Sequence, residues 1–274
     1  MNRADDSAEA ELAEFCASHG LTVVAQIAVP DGGSRFLAHV RDAAGEHRFL
    51  KRGSGLRGHG ETRILRAWEG TGYTAGGLNV YGEDTFTCRW VDGVTLEDAA
   101  DDIGPLLRRC GDMLRVLHGV AALDGLMPIT ERASAEWVER DFSGSLPEPM
   151  LEAARRAARD LTDYDPAEAV MLHGDTVPAN ILVVDRLIAL DPIGFDGPAG
   201  WDVAQLAVAC TGRDRRANLA DIVAGYGSTP PKTEAAFRYL AFLFLDKHLA
   251  MERARPGSRA GVVAELERLA RALV

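Results

Sequence analysis

The segment that most constrains the chain covers residues 170–204 and reads VMLHGDTVPANILVVDRLIALDPIGFDGPAGWDVA. It places a carboxylate at Asp175, a carboxamide at Asn180 and a second carboxylate at Asp191. Two short apolar runs between Asn180 and Asp191 are typical of two strands joined by a tight turn. Phosphoryl transfer requires a group that accepts the proton of the attacking hydroxyl and oxygen ligands that hold Mg²⁺. The segment therefore predicts a small-molecule kinase.

Composition narrows the class of protein. The chain has 274 residues, of which 47% are hydrophobic and 26% charged, as expected for a globular enzyme of one or two domains. The net charge of −11 argues against a nucleic-acid partner and would suit a cationic substrate. The N-terminus lacks an apolar leader, and runs such as residues 240–245 are too short to cross a bilayer. The four cysteines lack metal-ligand spacing. We therefore expect a reduced, cytoplasmic protein without a membrane segment.

The order of predicted elements indicates an α+β fold with two lobes. The first ninety residues or so read as β-β-β-α-β-β, with strands at 22–29, 35–41, 47–51, 78–81 and 85–91. We expect residues 1–91 to form a β-rich nucleotide-binding lobe, with a hinge at about 88–93. Residues 92–274 are expected to form a larger helical lobe that holds the catalytic loop and the acceptor site. Its predicted helices span 95–100, 103–120, 133–140, 149–162, 201–211, 215–226, 232–253 and 260–273.

Within the 170–204 segment, the residues have different predicted roles. Asp175 is predicted to orient the substrate hydroxyl and take its proton, and Asn180 and Asp191 to bind Mg²⁺. Any one of them alone would be read as a capping or turn residue. His173 is either a catalytic acid or a structural imidazole, and we favour the structural role because Asp175 already supplies a base. Asp202 is predicted to cap a helix or to hold the catalytic loop by accepting backbone N–H bonds.

The N-terminal region supplies candidates for binding the nucleotide phosphates. Lys51 ends a predicted strand and is the natural cation for the α- and β-phosphates, with Glu61 on the next helix as its partner. Backbone N–H groups of Gly32, Gly33 and Ser34 could cover the phosphates, although a plain hairpin turn explains them equally well. The extended segment 88–93 could offer one carbonyl and one N–H group to adenine.

With these motifs, the chain resembles the aminoglycoside phosphotransferase group of the protein-kinase-like fold. Residues 191–204, DPIGFDGPAGWDVA, are most similar to the streptomycin 6-kinase/hydroxyurea phosphotransferase branch, which has a similar Asp-Pro-x-Gly run, then a glycine, then Asp-(Leu/Val)-Ala. The lobe order is consistent with this resemblance over nearly the whole chain. Thr176, Ile193 and Pro198 depart from the pattern without removing a catalytic group. Because the departures at Ile193 and Pro198 alter the loop that leads to the substrate side, streptomycin itself is not predicted.

The resemblance implies roles for individual residues. Asp175 would be the base, Asn180 and Asp191 the Mg²⁺ ligands, and ATP or GTP the phosphoryl donor. The remaining implied nucleotide contacts are Lys51 with Glu61 on the phosphates, Cys88 as gatekeeper, and the Arg89 carbonyl and Val91 N–H facing adenine. Leu117 and His118 match a Leu-His pair that ends a long helix in the group, which we interpret as packing.

The acceptor is expected to be a small, hydroxylated and cationic molecule bound by carboxylates. Asp196, Asp246 and Glu252 are candidates, and each could equally be a solvated or capping residue. The main hypothesis is a kinase of an aminoglycoside-like antibiotic, and the alternative is a metabolic kinase of an amino sugar or amino alcohol. A non-catalytic nucleotide-binding protein is less favoured because the base, the metal ligands and the lysine are all present. A metal-dependent hydrolase using His173 and Asp175 would need more clustered ligands than the sequence offers.

Overall fold

The computed structural model describes residues 3–28, 34–53, 58–82, 84–99, 102–131, 133, 138–139, 142 and 144–274. The chain divides into two compact units. Unit 1 comprises Met1–Gly93 and Ile188–Ile193, and unit 2 comprises Val94–Leu187 and Gly194–Val274. The mixed content of helices and strands confirms the predicted α+β class. None of the helices in the described ranges is both long and apolar enough to cross a membrane.

Unit 1 is built on a five-stranded antiparallel sheet with strand order β1-β2-β3-β5-β4. Alternate residues of the central strands turn inward, and Phe36, Ala38, Val40 and Leu50 are fully buried. Leu12 on the first helix joins the same core. The predicted order β-β-β-α-β-β is confirmed. The elements are α1 (Arg3–Ser18), β1 (Thr22–Ile27), β2 (Ser34–Arg41), β3 (His47–Gly53), α2 (Gly58–Ala67), β4 (Asn79–Val80) and β5 (Thr85–Arg89).

Unit 2 is mainly helical. Its helices are α3 (Gly104–His118), α4 (Glu148–Thr162), α5 (Gly200–Ala209), α6 (Arg215–Tyr226), α7 (Thr233–Ala254) and α8 (Ala260–Leu273). Short strands lie between them: β6 (Val94–Thr95), β7 (Met127–Pro128), β8 (Val170–Leu172), β9 (Ile181–Val183) and β11 (Phe195–Gly197). Strand β10 (Leu187–Ala189) carries the chain from unit 2 into unit 1. The described residues also form three 3-10 turns: Ile129–Glu131, Pro166–Glu168 and Pro178–Asn180.

Helices α3 and α6 approach each other closely because glycines lie at their crossing. A Cβ atom on Gly111 would lie 2.0 Å from the carbonyl oxygen of Ile222, and one on Gly225 would lie 1.8 Å from that of Arg108. Atoms cannot approach this closely without a backbone shift. Glycine at both positions therefore sets the distance between the two helices, whose last residues are His118 and Tyr226.

Helix α5 is buried on all sides rather than along one face. Every residue from Gly200 to Val208 is buried, including the polar side chains of Asp202 and Gln205. Burial on all faces is typical of a helix in the centre of a domain. The buried polar groups therefore require hydrogen-bond partners within the protein.

The structure differs from the sequence-based prediction in several short segments. A helix was predicted at residues 95–100, and this prediction was wrong, because Val94 and Thr95 pair with β9 and a turn follows, held by the Thr95 hydroxyl and Asp98. Strands β7 and β11 were not predicted, since two- and three-residue strands carry no clear periodicity. The helix predicted at 133–140 lies largely outside the described residues.

Candidate active site

Lys51 lies in the middle of the sheet of unit 1. It lies on β3, where it pairs with Leu37 of β2 on one side and with Phe86 of β5 on the other, and only 7% of the residue is exposed. Its ammonium nitrogen Nζ lies 2.8 Å from Oε2 of Glu61, which sits in the first turn of the following helix, and it also contacts Oδ1 of Asp191. The strand and the helix thus fix the direction of one buried cation.

Two carboxylates keep this cation charged. Burial alone would lower the pKa of Lys51, but the negative charges of Glu61 and Asp191 outweigh it and hold the pKa above its usual value. Burial raises the pKa of Glu61 to about 7, while the Lys51 ammonium acts in the opposite direction. An ammonium group of this kind is suited to bind phosphate oxygens as a point charge.

Asp191 has an unusual backbone for a residue with a side chain. Its φ is 56°, in the left-handed region, where residues other than glycine are uncommon. Such a conformation costs on the order of 1–3 kcal/mol and persists where the surrounding structure imposes it. The side chain is 54% exposed, so Asp191 reaches Lys51 and still presents carboxylate surface to solvent.

The loop after β8 holds Asp175 and Asn180 in unit 2. The side-chain nitrogen Nδ2 of Asn180 donates to the backbone oxygen of Asp175 at 2.9 Å and to its Oδ2 at 3.1 Å. Since the amide nitrogen makes both of these bonds, the carbonyl oxygen of Asn180 points away from Asp175. The half-buried Asp175 carboxylate therefore has one oxygen fixed by Asn180.

Four consecutive backbone N–H groups of this loop donate to side chains. Asp202 accepts from His173 at 2.7 Å through Oδ2 and from Gly174 at 2.9 Å through Oδ1. The N–H of Asp175 donates to Nδ1 of His173 at 3.3 Å, and that of Thr176 to Oε1 of Gln205 at 2.8 Å. The backbone on both sides of Asp175 is therefore held in place.

Gly174 makes this loop conformation possible. Its φ is +77°, and a Cβ atom there would lie 2.6 Å from the ring of Phe195 on β11. An L side chain would be strained by the backbone angle and would also collide with the ring. The glycine of the His-Gly-Asp sequence is thus required both by the turn and by the strand packed against it.

Asp202 itself is completely buried, and a second chain of hydrogen bonds holds it. Nε2 of His118 lies 3.0 Å from Oδ2 of Asp202, and the Tyr226 hydroxyl lies 3.2 Å from Nδ1 of His118. Burial raises the pKa of Asp202, but the hydrogen bond from His118, the charges of His118 and His173 and the Gly174 N–H together lower it below its usual value. The role of His118 thus goes beyond packing, which a Leu-His dipeptide alone does not indicate.

The three candidate acceptor carboxylates lie in different environments. Asp246 is 1% exposed and accepts from the backbone N–H of Ser145 at 3.2 Å. Glu252 accepts from the backbone N–H groups of Gly257 and Arg259, the latter at 2.6 Å, and so closes the turn between α7 and α8. Backbone N–H groups thus bind Oδ1 of Asp246 and both carboxylate oxygens of Glu252, and a role of either residue in binding the acceptor stays a prediction.

Asp196 is the third candidate carboxylate for the acceptor. It lies on β11 beside Phe195, the residue that packs on Gly174, and is half-buried. Burial is the main cause that raises the pKa of Asp196 above its usual value, and the charge of Glu131 adds a smaller rise, while a hydrogen bond to the backbone of Asp196 acts in the opposite direction. A cation beside Asp196 would relieve both effects.

The other predicted nucleotide contacts belong to unit 1. Cys88 pairs with Phe49 in the sheet, and burial raises the pKa of its thiol to about 12. The N–H of Arg89 donates to the carbonyl of Gly76 at 3.0 Å, and Val91 follows the end of β5. Gly32 and Gly33 lie outside the described residues, and Ser34 is the first residue of β2.

The two-unit α+β fold, the Lys–Glu pair and the His-Gly-Asp loop define a phosphotransferase of the protein-kinase-like class. A model of the phosphotransferase enzyme family APH matches residues 34–240, and the chain belongs to this family. It is accordingly an ATP-dependent phosphotransferase that acts on a hydroxyl group of a small molecule. None of the curated protein sequences matches the chain.

Solved structures with the same fold include enzymes with different acceptors. The macrolide 2′-phosphotransferase MphH from Brachybacterium faecium is 18% identical, with 93% of this chain and 97% of that chain covered and a TM-score of 0.63. For choline kinase LicA from Streptococcus pneumoniae the identity is 16%, the coverage 97% and 98%, and the TM-score 0.65. For a spectinomycin phosphotransferase the values are 12%, 94% and 93%, and 0.64. At these identities the likeness concerns the fold.

Proposed function

We propose that the protein transfers the γ-phosphoryl group of ATP directly to a hydroxyl of an aminoglycoside-like antibiotic, with Asp175 as the base. The observation that carries the proposal is the state of the loop around Asp175. Its carboxylate is oriented by Asn180, and the backbone N–H groups from His173 to Thr176 all donate hydrogen bonds. A base held in this way can orient the acceptor hydroxyl and take its proton as the bond to phosphorus forms.

The donor side of the reaction is assigned to Lys51, Asp191 and Asn180. Lys51 is the proposed ligand of the nucleotide phosphates, held by Glu61. Asp191 and Asn180 are the proposed Mg²⁺ ligands, and carboxylate and amide oxygens are the hard donors that this ion prefers. Both residues support this assignment, since Asp191 presents an exposed carboxylate and the Asn180 carbonyl is turned away from Asp175. When bound, Mg²⁺ neutralises charge on the transferred phosphoryl group.

The acceptor is proposed to carry an amine, with Asp196 as one carboxylate that binds it. The raised pKa of Asp196 and the net charge of −11 favour a cationic molecule. Spectinomycin and macrolide phosphotransferases share the fold, which is consistent with an antibiotic as acceptor. A choline kinase shares it equally well, so an amino alcohol or amino sugar is the second candidate.

A nucleotide-consumption screen tests this function. ATP consumption would be measured with aminoglycosides, other amino-containing antibiotics, amino sugars and amino alcohols, using Asp175→Asn as the control. The proposal expects turnover with an antibiotic and a loss of kcat by a factor of about 10² or more in the variant, with nucleotide binding retained. Turnover with amino alcohols alone would favour the second candidate. Full turnover by Asp175→Asn would refute the base assignment.

A further inference from the structure

The N–H group that follows the proposed base is bound by a side chain that no motif identifies. Oε1 of Gln205 accepts from the backbone N–H of Thr176 at 2.8 Å. Thr176 is fully buried and Gln205 is 5% exposed, so water does not readily replace this bond. Because leaving a buried N–H group unpaired is costly, the loop is held in the conformation in which the Thr176 N–H reaches Gln205.

Gln205 and Asp202 lie on the same face of helix α5. They are three residues apart, a spacing that places side chains next to each other on a helix. Asp202 binds the N–H groups of His173 and Gly174, which precede Asp175, and Gln205 binds the N–H group that follows it. One buried helix thus holds the backbone of the base from both sides.

A carboxamide suits this position better than a carboxylate would. Asp202 is already a buried carboxylate with a pKa below its usual value, so it carries its charge in the interior. A second buried charge one turn away would be repelled by Asp202 and would lack a cation of its own. Gln205 supplies the acceptor oxygen without adding charge.

We propose that Gln205 is a positioning residue for the catalytic base. By binding the Thr176 N–H, it fixes the backbone after Asp175 and so the direction in which the carboxylate meets the acceptor hydroxyl. The inference rests on the proposed role of Asp175. It concerns the chemical step, because Thr176 directly follows the base, whereas the loop's proposed Mg²⁺ ligand, Asn180, lies four residues further along the chain.

Variants at position 205 separate this role from a general effect on stability. Gln205→Met keeps the side-chain length and removes the acceptor. Gln205→Asn keeps the carboxamide but withdraws it by about 1.5 Å, one carbon–carbon bond. Gln205→Glu keeps an acceptor oxygen in either protonation state, and repulsion from Asp202 favours the protonated form, which has the shape of glutamine. The matched control is Asn218→Leu, which removes another buried carboxamide. The side-chain nitrogen of Asn218 donates to the carbonyl of Ala207 on α5 and to that of Cys210, just beyond the end of α5.

Kinetics and amide hydrogen exchange provide independent readouts. Gln205→Met and Gln205→Asn are expected to lower kcat about tenfold or more at a nucleotide KM within twofold of wild type, and to speed exchange at the Thr176 amide. The Gln205→Glu enzyme is expected to retain most of the wild-type kcat. Asn218→Leu should lower stability while leaving kcat and Thr176 exchange unchanged. If Gln205→Met does not fold, Gln205→Asn, which keeps a polar group in the site, decides the question.

The result that would overturn the inference is a Gln205→Asn enzyme with wild-type kcat and unchanged exchange at Thr176. An equal loss of kcat in Asn218→Leu would also overturn it, because the effect would then be one of stability alone. Failure of the proposed function has a different signature, namely a wild-type protein that phosphorylates none of the acceptors. The exchange measurement still tests the hydrogen bond in that case.

Discussion

Replacing Asp202 by asparagine tests how strongly the catalytic loop depends on one buried side chain. Asp202 accepts hydrogen bonds from the N–H groups of His173 and Gly174 and lies within hydrogen-bond distance of Nε2 of His118. Asparagine has the same shape, but only one of its two terminal atoms is an acceptor. Its NH₂ group must therefore face at least one of the two backbone N–H groups, which loses its partner inside the protein.

The size of the effect follows from these contacts. One buried donor left unpaired costs about 1–3 kcal/mol, and hydrogen bonds to a charged group are the stronger kind. We expect Asp202→Asn to lower the free energy of unfolding of unit 2 by about 2–4 kcal/mol. We also expect a loss of kcat of tenfold or more, because the freed N–H group belongs to His173 or Gly174, one or two residues before the proposed base.

The pH dependence of stability gives a second, signed prediction. The pKa of Asp202 is lower in the folded protein than its usual value near 3.8, which we take for the unfolded chain. The unfolded state therefore binds the proton more readily, and the stabilisation by Asp202 is fully present above about pH 4. It is lost as the pH falls through the lowered pKa. Asp202→Asn should remove this part of the acid sensitivity, so wild type and variant should converge in stability at low pH.

Urea unfolding followed by circular dichroism at several pH values, together with kcat at neutral pH, measures these effects. The matched control is Asp221→Asn, since Asp221 is also a mostly buried carboxylate with a lowered pKa, but its partners are Arg108 and Arg213. It should lose stability and retain kcat. An Asp202→Asn protein with wild-type stability at neutral pH and wild-type kcat would refute the reasoning, because the observed hydrogen bonds would then contribute nothing measurable.

Three further predictions concern other parts of the molecule. Gly225→Ala should lower the free energy of unfolding in urea by about 2 kcal/mol or more, since its Cβ would meet the Arg108 carbonyl. Gly261→Ala, with open space around it, should be neutral or stabilising. Equal free energies of unfolding for the two variants would contradict the steric argument. Lys51→Met should lower kcat/KM for nucleotide at least tenfold, and Arg52→Met, which removes a side chain paired with Glu11, should not; ATP kinetics of both variants decide this. Asp196→Asn should raise the acceptor KM and leave the nucleotide KM unchanged. Asp246→Asn should lower stability and leave the acceptor KM unchanged. The reverse pattern would indicate that Asp246, not Asp196, binds the acceptor.

The sequence predicted most of the regular structure and the groups proposed for the chemistry. Helices 215–226 and 260–273 were predicted with their observed bounds. Asp175, Asn180 and Asp191 stand out because a carboxylate, a carboxamide and a second carboxylate follow one another within a short segment of the sequence. Such a local pattern is legible without knowledge of the tertiary structure.

What the sequence could not provide was the partner of each polar side chain. The carboxylate of Asp246 accepts a backbone N–H bond from Ser145, which lies 101 residues away in the sequence. The bond from Gln205 to Thr176 crosses 29 residues, and that between His118 and Asp202 crosses 84. The available signal was the i, i+3 spacing of Asp202 and Gln205 on an otherwise apolar helix, where a polar side chain needs an internal partner.

The two groups of proposed catalytic residues are held in place by different structural elements, and the acceptor can vary within such a fold without disturbing either group. The Lys51–Glu61–Asp191 group is held by a strand, a helix and one strained backbone position within unit 1. The loop around Asp175 is held within unit 2 by hydrogen bonds to Asp202 and Gln205 of α5, and His118 of α3 in turn holds Asp202. Neither set of supports includes the side chain of Asp196, whose backbone lies in strand β11 between Pro128 and Met171. A change at Asp196 can therefore alter the charge offered to the acceptor while the base and the phosphate-binding lysine keep their geometry. This separation explains in physical terms why sequence motifs identify the chemistry of the protein more readily than its acceptor.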